Sequence, residues 1–399
     1  MKIHPKSFFD YLHLSAKNII LVIVFLSYAF NAWHLNPNSD ERASVVIALG
    51  THPPLVNNNG TAITQKDYLE ALEYKRYSVS EIKIANTIQS TINDNTNGLI
   101  YYLLLSALIK LLGLNLFHLR LLSILFTIVN LNLIYRIAKE FRIHESLCLL
   151  LLLQISFNPV FAQDAVLIRS YMLALTGCLI CILSLYKIVA TGSSEQQLVL
   201  TYFLGFILAA GSHYATVYVL TGLSIYLLLA NRNQMRTAFI YGYMVIFLLG
   251  VLWFWRVYPD GLSNLGFLVR KSAQNAVGTG YEIVPANFLR QMLLYGVSVF
   301  GNQFMINPGG VIFKGISMIL MFVLIGRLLI KRNDFTYQFV SSITILPLVF
   351  FIIESLITKN FSNFIPHYLV FFIPGWCVLL YLVIDNHTGV FNLKKEFEG

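Results

Sequence analysis

Apolar residues fall in long runs along this chain, and polar residues gather in the gaps between them. The first run, Asn18–Trp33, reads NIILVIVFLSYAFNAW. Nine more follow, at Leu116–Ile137, Ser146–Phe161, Ser170–Ala190, Leu198–Ser212, Ala215–Ala230, Thr237–Trp255, Gly310–Ile330, Tyr337–Ile357 and His367–Ile384. A helix needs ~20 apolar residues to cross a bilayer. The pattern therefore predicts an all-α polytopic membrane protein: one domain over residues 1–399 with about ten spanning helices. NAWHLNPNSDE follows the first run with no small-residue cleavage site, so that run is read as an uncleaved helix, 18–33.

Two polar gaps are long. Residues 34–115 precede the central helices over 116–255, and residues 256–308 precede the C-terminal helices over 309–385. Within the first gap, DYLEALEYKRYSVSEIKIANTIQSTI mixes charge with apolar residues at partly helical spacing, between turn signals at Pro53-Pro54 and Asn93-Asp94-Asn95. Loops of this length in compact proteins are functional or disordered. The stretch NGLIYYLLLSALIKLLGL also has the hydrophobicity of a span.

Lysine and arginine decide how to treat that stretch. Basic residues cluster at Lys2, Lys6 and Lys17; Arg136, Lys139 and Arg142; Arg232 and Arg236; Arg327, Lys331 and Arg332; and Lys394 and Lys395. If each of the ten runs crosses once, all these clusters fall on one side, which the positive-inside rule makes cytoplasmic. Both termini are then expected in the cytoplasm and both long gaps on the outer face. An eleventh span would invert the later helices. Leu99–Leu114 is accordingly expected to lie in the outer interface, or to be re-entrant, packed on the bundle.

Composition agrees with this class. The 399 residues are 57% hydrophobic and 12% charged, with mean hydropathy +0.67, against about 25% charged in soluble domains. The net charge of +9 is spread over short loops and gives no reason to expect a nucleic-acid partner. Cys178 and Cys181 have CxxC spacing, but they sit with Cys148 and Cys377 inside apolar runs, where packing is the expected role. No internal repeat is visible, which weighs against an alternating-access transporter.

The residues able to carry chemistry gather toward the outer face. Asp40-Glu41 follows the first span, and a carboxylate pair at a bilayer surface is either a helix cap or a functional group. Asp164 lies between the third and fourth spans, ahead of Arg169 and Tyr171. An arginine there forms a structural pair with an acid or binds an anion through its two-pronged fork. His213-Tyr214 and His367-Tyr368 stand at outer helix ends, as an aromatic belt or as substrate contacts. Lys110 and Arg120 flank the interfacial helix and either meet lipid phosphate or snorkel. Together with His52, these acids and histidines can supply a divalent-cation site, although no spacing such as HExxH supports one. No GxSxG, P-loop or GxGxxG motif is present, so a soluble nucleotide donor is not expected.

In order and spacing these residues resemble the integral-membrane GT-C glycosyltransferases. The resemblance is to bacterial relatives of the dolichyl-phosphate-mannose protein mannosyltransferases, among them the lipopolysaccharide-sugar and aminoarabinose transferases. Four patterns carry it: Asp40-Glu41 after helix one; NGLIYYLLLSALIKLLGLNLFHLRLLS in place of a PPLYYLLL…G…RLLS segment; Asp164 with Arg169-Ser-Tyr171; and HYLVFFIP in place of RYLLPLLP. The prolines of PPLYY are absent, Leu167 stands where the family commonly has an acid, and His367 replaces an arginine.

The resemblance implies a GT-C-like bundle in a cell inner membrane. Its polyprenyl-phosphate-linked sugar would be transferred, with inversion, to a hydroxyl of a glycan, lipid or protein on the outer face. It implies Asp40, Glu41 and Asp164 as catalytic carboxylates. Arg169, Tyr171, Tyr101, Tyr102, Lys110, His213 and His367 become substrate-binding candidates. Cofactor need is open, with a divalent cation as one option. The competing expectation is a transporter or flippase of lipid-linked glycans.

Overall fold

The computed structural model describes residues 8–51, 70–79, 82–94, 98–191, 196–229, 239, 242–244, 311–331, 334–358 and 370–388. Most of the expected span Thr237–Trp255, the second long gap, His52 and His367 lie outside the described residues.

The described residues form thirteen α-helices and one 3₁₀ turn (Tyr74–Arg76), with no strand. The helices are α1 (Phe8–His34), α2 (Ser39–Ala48), α3 (Ile84–Asp94), α4 (Leu99–Leu112), α5 (Leu116–Glu140), α6 (Glu145–Ser156) and α7 (Pro159–Val166). They continue with α8 (Tyr171–Thr191), α9 (Gln196–Ala210), α10 (Thr216–Leu229), α11 (Val311–Ile330), α12 (Phe335–Thr358) and α13 (Ile373–Thr388).

Among the described residues three helices are long and apolar enough to cross a membrane: α1 from Ser15, α5 and α8. The α6–α7 pair makes a fourth if it counts as one span. These helices are compatible with a membrane protein. Several other described helices are apolar but shorter, α4, α9, α10 and α13 among them.

The apolar stripes explain the packing. On α1, Val24, Tyr28 and Ala32 are buried at four-residue spacing against α5, while Ile19, Val22, Ile23, Leu26 and Phe30 face outward. The two helices run antiparallel, because Lys17 meets Asn132 at one end and Arg120 reaches Ala32 and Leu35 at the other. Helix α8 is enclosed by neighbours: 83% of its best apolar window is buried. Its closest partner is α9, at an approach so tight that a Cβ on Gly177 would lie 2.4 Å from the Ala209 nitrogen. Cys178 and Cys181 are buried unbridged thiols on α8.

One expected span is broken. The run Ser146–Phe161 divides into α6 and α7, bent by 66°. Pro159 has no N–H to continue α6, and the Asn158 side chain accepts from the N–H groups of Val160 and Phe161, starting a new helix instead. The amphiphilic stretch of the first gap becomes the 3₁₀ turn and α3. The expected interfacial helix is α4, which ends two residues earlier than expected. Gly113, at φ +75°, closes it by donating to the Ile109 carbonyl.

Candidate functional site

The site is assembled around the start of α2. Asn38 caps the helix: its Oδ1 accepts from the Glu41 N–H at 2.8 Å, and Glu41 Oε2 accepts from the Asn38 N–H at 3.3 Å. This corrects the expectation that Asp40 is the cap. The Asn38-x-x-Glu41 spacing is a capping-box pattern, so the signal was present in the sequence. Asp40 is left in the first turn, beside the positive end of the helix dipole.

Glu41 and Asp40 are adjacent but occupy opposite environments. Glu41 is fully buried. Arg120 donates to it twice, Nε to Oε1 at 2.8 Å and Nη2 to Oε2 at 2.7 Å, and the Ile168 N–H reaches Oε1 at 3.2 Å. Arg120 Nη1 donates to the carbonyls of Ala32 and Leu35 at 2.8 and 2.7 Å. The pair therefore ties the end of α1, the start of α2, α5 and the α7–α8 turn together. Arg120 is committed to this joint and does not snorkel. Glu41, expected as a catalytic carboxylate, has both oxygens engaged away from solvent.

Asp40 keeps 55% of its side chain exposed and pairs with Arg169 Nη2 at 3.0 Å. Arg169 is 18% exposed, its Nη1 lies 3.5 Å from Ser44 Oγ, and its guanidinium stands 5.9 Å over the Tyr171 ring. The turn carrying Arg169 is fixed from below, where Ser123 Oγ donates to the Leu167 carbonyl at 2.6 Å.

A ring stack continues inward. Tyr171 lies 5.0 Å from His213, which stacks on Tyr214 at 4.9 Å and meets Phe371 at 5.7 Å. Nδ1 of His213 accepts from the Ala215 N–H at 3.1 Å, so the neutral ring carries its proton on Nε2. Burial first, and the Arg169 charge second, push the His213 pKa down to about 3. This is an uncharged histidine at neutral pH.

Tyr101 and Tyr102 are buried on α4. Among the described residues the Tyr101 hydroxyl has no hydrogen-bond partner, and it lies within the field of Arg169 and Glu41; burial raises its pKa and keeps it protonated. The Ser212 hydroxyl, likewise buried and without a hydrogen-bond partner, was not singled out from the sequence. Helix α4 docks beside it, with the N–H groups of Gly98 and Ile100 donating to the carbonyls of Ser212 and Gly211 at 3.0 and 2.9 Å.

The structure thus brings Asp40, Glu41, Arg169, Tyr171, Tyr101 and His213 into one region. Asp164, expected as an acid of the outer loop, is instead fully buried within α7. Lys110 is exposed in the last turn of α4, nine residues and about 13 Å of helix beyond Tyr101. Among the described residues no group of three or more His, Cys, Asp or Glu side chains is placed to hold a metal ion. No protein-family model matches the chain, and neither a curated protein nor a solved structure matches it.

Proposed function

We propose that the protein is a GT-C-like membrane glycosyltransferase. It moves a sugar from a polyprenyl-phosphate donor to an acceptor hydroxyl at the outer membrane face. The observation that carries this reading is the division between the two acids. Asp40 is open to solvent and held by Arg169, on a joint that the buried Glu41–Arg120 pair makes rigid.

In the proposed reaction an Asp40 oxygen takes the proton of the acceptor's hydroxyl while the hydroxyl oxygen attacks the anomeric carbon. The sugar–phosphate C–O bond breaks and its electron pair leaves with the phosphate. General-base help of this kind contributes typically 10²–10⁴-fold. Protonation of Asp40 weakens its hold on Arg169, leaving the guanidinium fork to meet the charge growing on the phosphate. Attack in one step inverts the anomeric centre and needs no sugar–enzyme bond.

The test is Asp40→Asn in the purified protein, given a polyprenyl-phosphate sugar and a panel of hydroxyl acceptors. A wild-type enzyme that transfers and a variant that does not support the reading. Undiminished transfer by the variant removes Asp40 from the role of base.

One observation favours a second reading. The 66° break at Phe157–Asn158 places a buried polar side chain between two apolar helices, as transporter folds do at their binding sites. A flippase of lipid-linked glycans would move labelled lipid-linked sugar across a vesicle membrane without transferring it.

A further inference from the structure

We propose that the basic end of the α1–α5 seam, at the end of the bundle away from Asp40, binds an anionic phospholipid. Lys17 and Arg136 hold its phosphate.

The two cations come together because the helices are antiparallel. Lys17 lies about two turns before the buried seam of α1 begins at Val24, and Asn132, Tyr135 and Arg136 share one face of α5. Lys17 Nζ donates to Asn132 Oδ1 at 3.2 Å and stands 5.2 Å over the Tyr135 ring. Arg136 is exposed and repels Lys17 through space. Among the described residues neither cation forms an ion pair.

The neighbouring carboxylates are already engaged. Glu145, which attracts Lys17 from a distance, accepts from Tyr135 and pairs with Lys139, and Glu140 pairs with Lys187 at 2.9 Å. An anion beside these two cations therefore relieves a repulsion that the protein itself leaves standing.

The apolar surface next to the cations says what kind of anion fits. On α5, Leu125 and Val129 are exposed at a spacing that leads down one stripe to Arg136. On α1, Ile19, Val22, Ile23 and Leu26 are exposed on the opposite side of the helix from Lys17 and α5, so the stripe on α5 is the one that meets the cations. A phosphate at the basic end with an acyl chain lying along the α5 stripe satisfies charge and apolar surface together. A free phosphate satisfies only the first. Basic groups near a bilayer surface attract anionic lipid by about fivefold in affinity for each residue.

The inference rests on the membrane reading alone and stands apart from the proposed catalysis. The experiment is native mass spectrometry of the purified full chain, with phosphatidylglycerol or phosphatidylcholine added to the detergent. The expected result is that wild type retains phosphatidylglycerol over phosphatidylcholine. Arg136→Gln should lower that retention about fivefold, and adding Lys17→Gln should lower it further. Phosphatidylcholine retention should not change. Arg136 is exposed, so its single variant keeps the fold and serves if the double variant does not. Equal retention of the two lipids by wild type overturns the proposal. So does unchanged selectivity in Arg136→Gln, an equal loss in Lys110→Gln, or full displacement by millimolar inorganic phosphate.

Discussion

Glu41 grips Arg120 at two points, 2.8 and 2.7 Å apart from oxygen to nitrogen, and the third guanidinium nitrogen closes on the last carbonyls of α1. Both side chains are buried, at 0% and 3% exposure. Removing either partner strands a charge away from water, which costs about 3–5 kcal/mol. Glu41→Gln and Arg120→Leu are each expected to lower the thermal midpoint in detergent sharply. Replacing both residues by leucine should cost less than the sum of the two single changes, because no unpaired charge is left. A double variant that loses the full sum would show that the two residues act independently.

Asp40 should behave in the opposite way. Its pair with Arg169 is half exposed, and exposed ion pairs contribute about 0–1 kcal/mol. Asp40→Asn is expected to unfold at nearly the wild-type temperature while sugar transfer falls by about 10²–10⁴-fold. Unfolding curves and transfer assays on the same preparations separate the two acids. A large stability loss with proportionate activity loss would make Asp40 a second structural acid.

These two side chains also show what the sequence could and could not convey. Hydropathy placed α1, α5 and α8 well, because a span is a long one-dimensional signal. It missed the α6–α7 break, where Asn158-Pro159 was outweighed by the apolar residues around it. Asp40-Glu41 stood out as a pair of charges at a helix start, open to a cap or a functional role, and nothing in the pattern distinguished one acid from the other. Burial separates them, and burial depends on Arg120, 79 residues further along the chain. Asp164 misled in the same way: its polar neighbours suggested an outer loop, and the chain buries it in a short helix. Tyr171 and His213 flank the open end of the α8–α9 hairpin, and the pairing of those two helices brings their rings to 5.0 Å.

His213 sets a pH limit on the fold. Its ordinary pKa of 6.5 is lowered to about 3 by burial and by Arg169. The unfolded chain therefore binds a proton here that the folded chain refuses over that interval. Stability from this residue is complete above about pH 6.5 and is lost progressively as pH falls toward 3. Thermal midpoints measured down this range should drop in wild type and drop less in His213→Phe, which keeps a ring between Tyr171 and Phe371 but cannot take up a proton. Parallel acid limbs in the two proteins would assign the loss to other groups.

The docking of α4 depends on a close backbone approach at its first residue. Gly98 has an ordinary φ of −76°, so its conformation alone does not require glycine. A Cβ there would lie 1.9 Å from the Gly211 carbonyl oxygen and 2.5 Å from the Ser212 nitrogen, both backbone atoms that cannot swing aside. Gly98→Ala should therefore push α4 off the α9–α10 turn, breaking the hydrogen bonds of the Gly98 and Ile100 N–H groups, at a cost of about 1–3 kcal/mol. Gly113, at the other end of the helix, is the opposite case. Its φ is +75° with ψ −170°, but a Cβ would meet nothing within 4 Å, so Gly113→Ala carries only backbone strain of about 1–3 kcal/mol. Hydrogen exchange distinguishes the two. Gly98→Ala is expected to speed exchange at the start of α4 and at Ser212–His213 together, whereas Gly113→Ala should loosen the last turn of α4 alone. Exchange that stays slow at Ser212–His213 in Gly98→Ala would mean the helix start is held elsewhere.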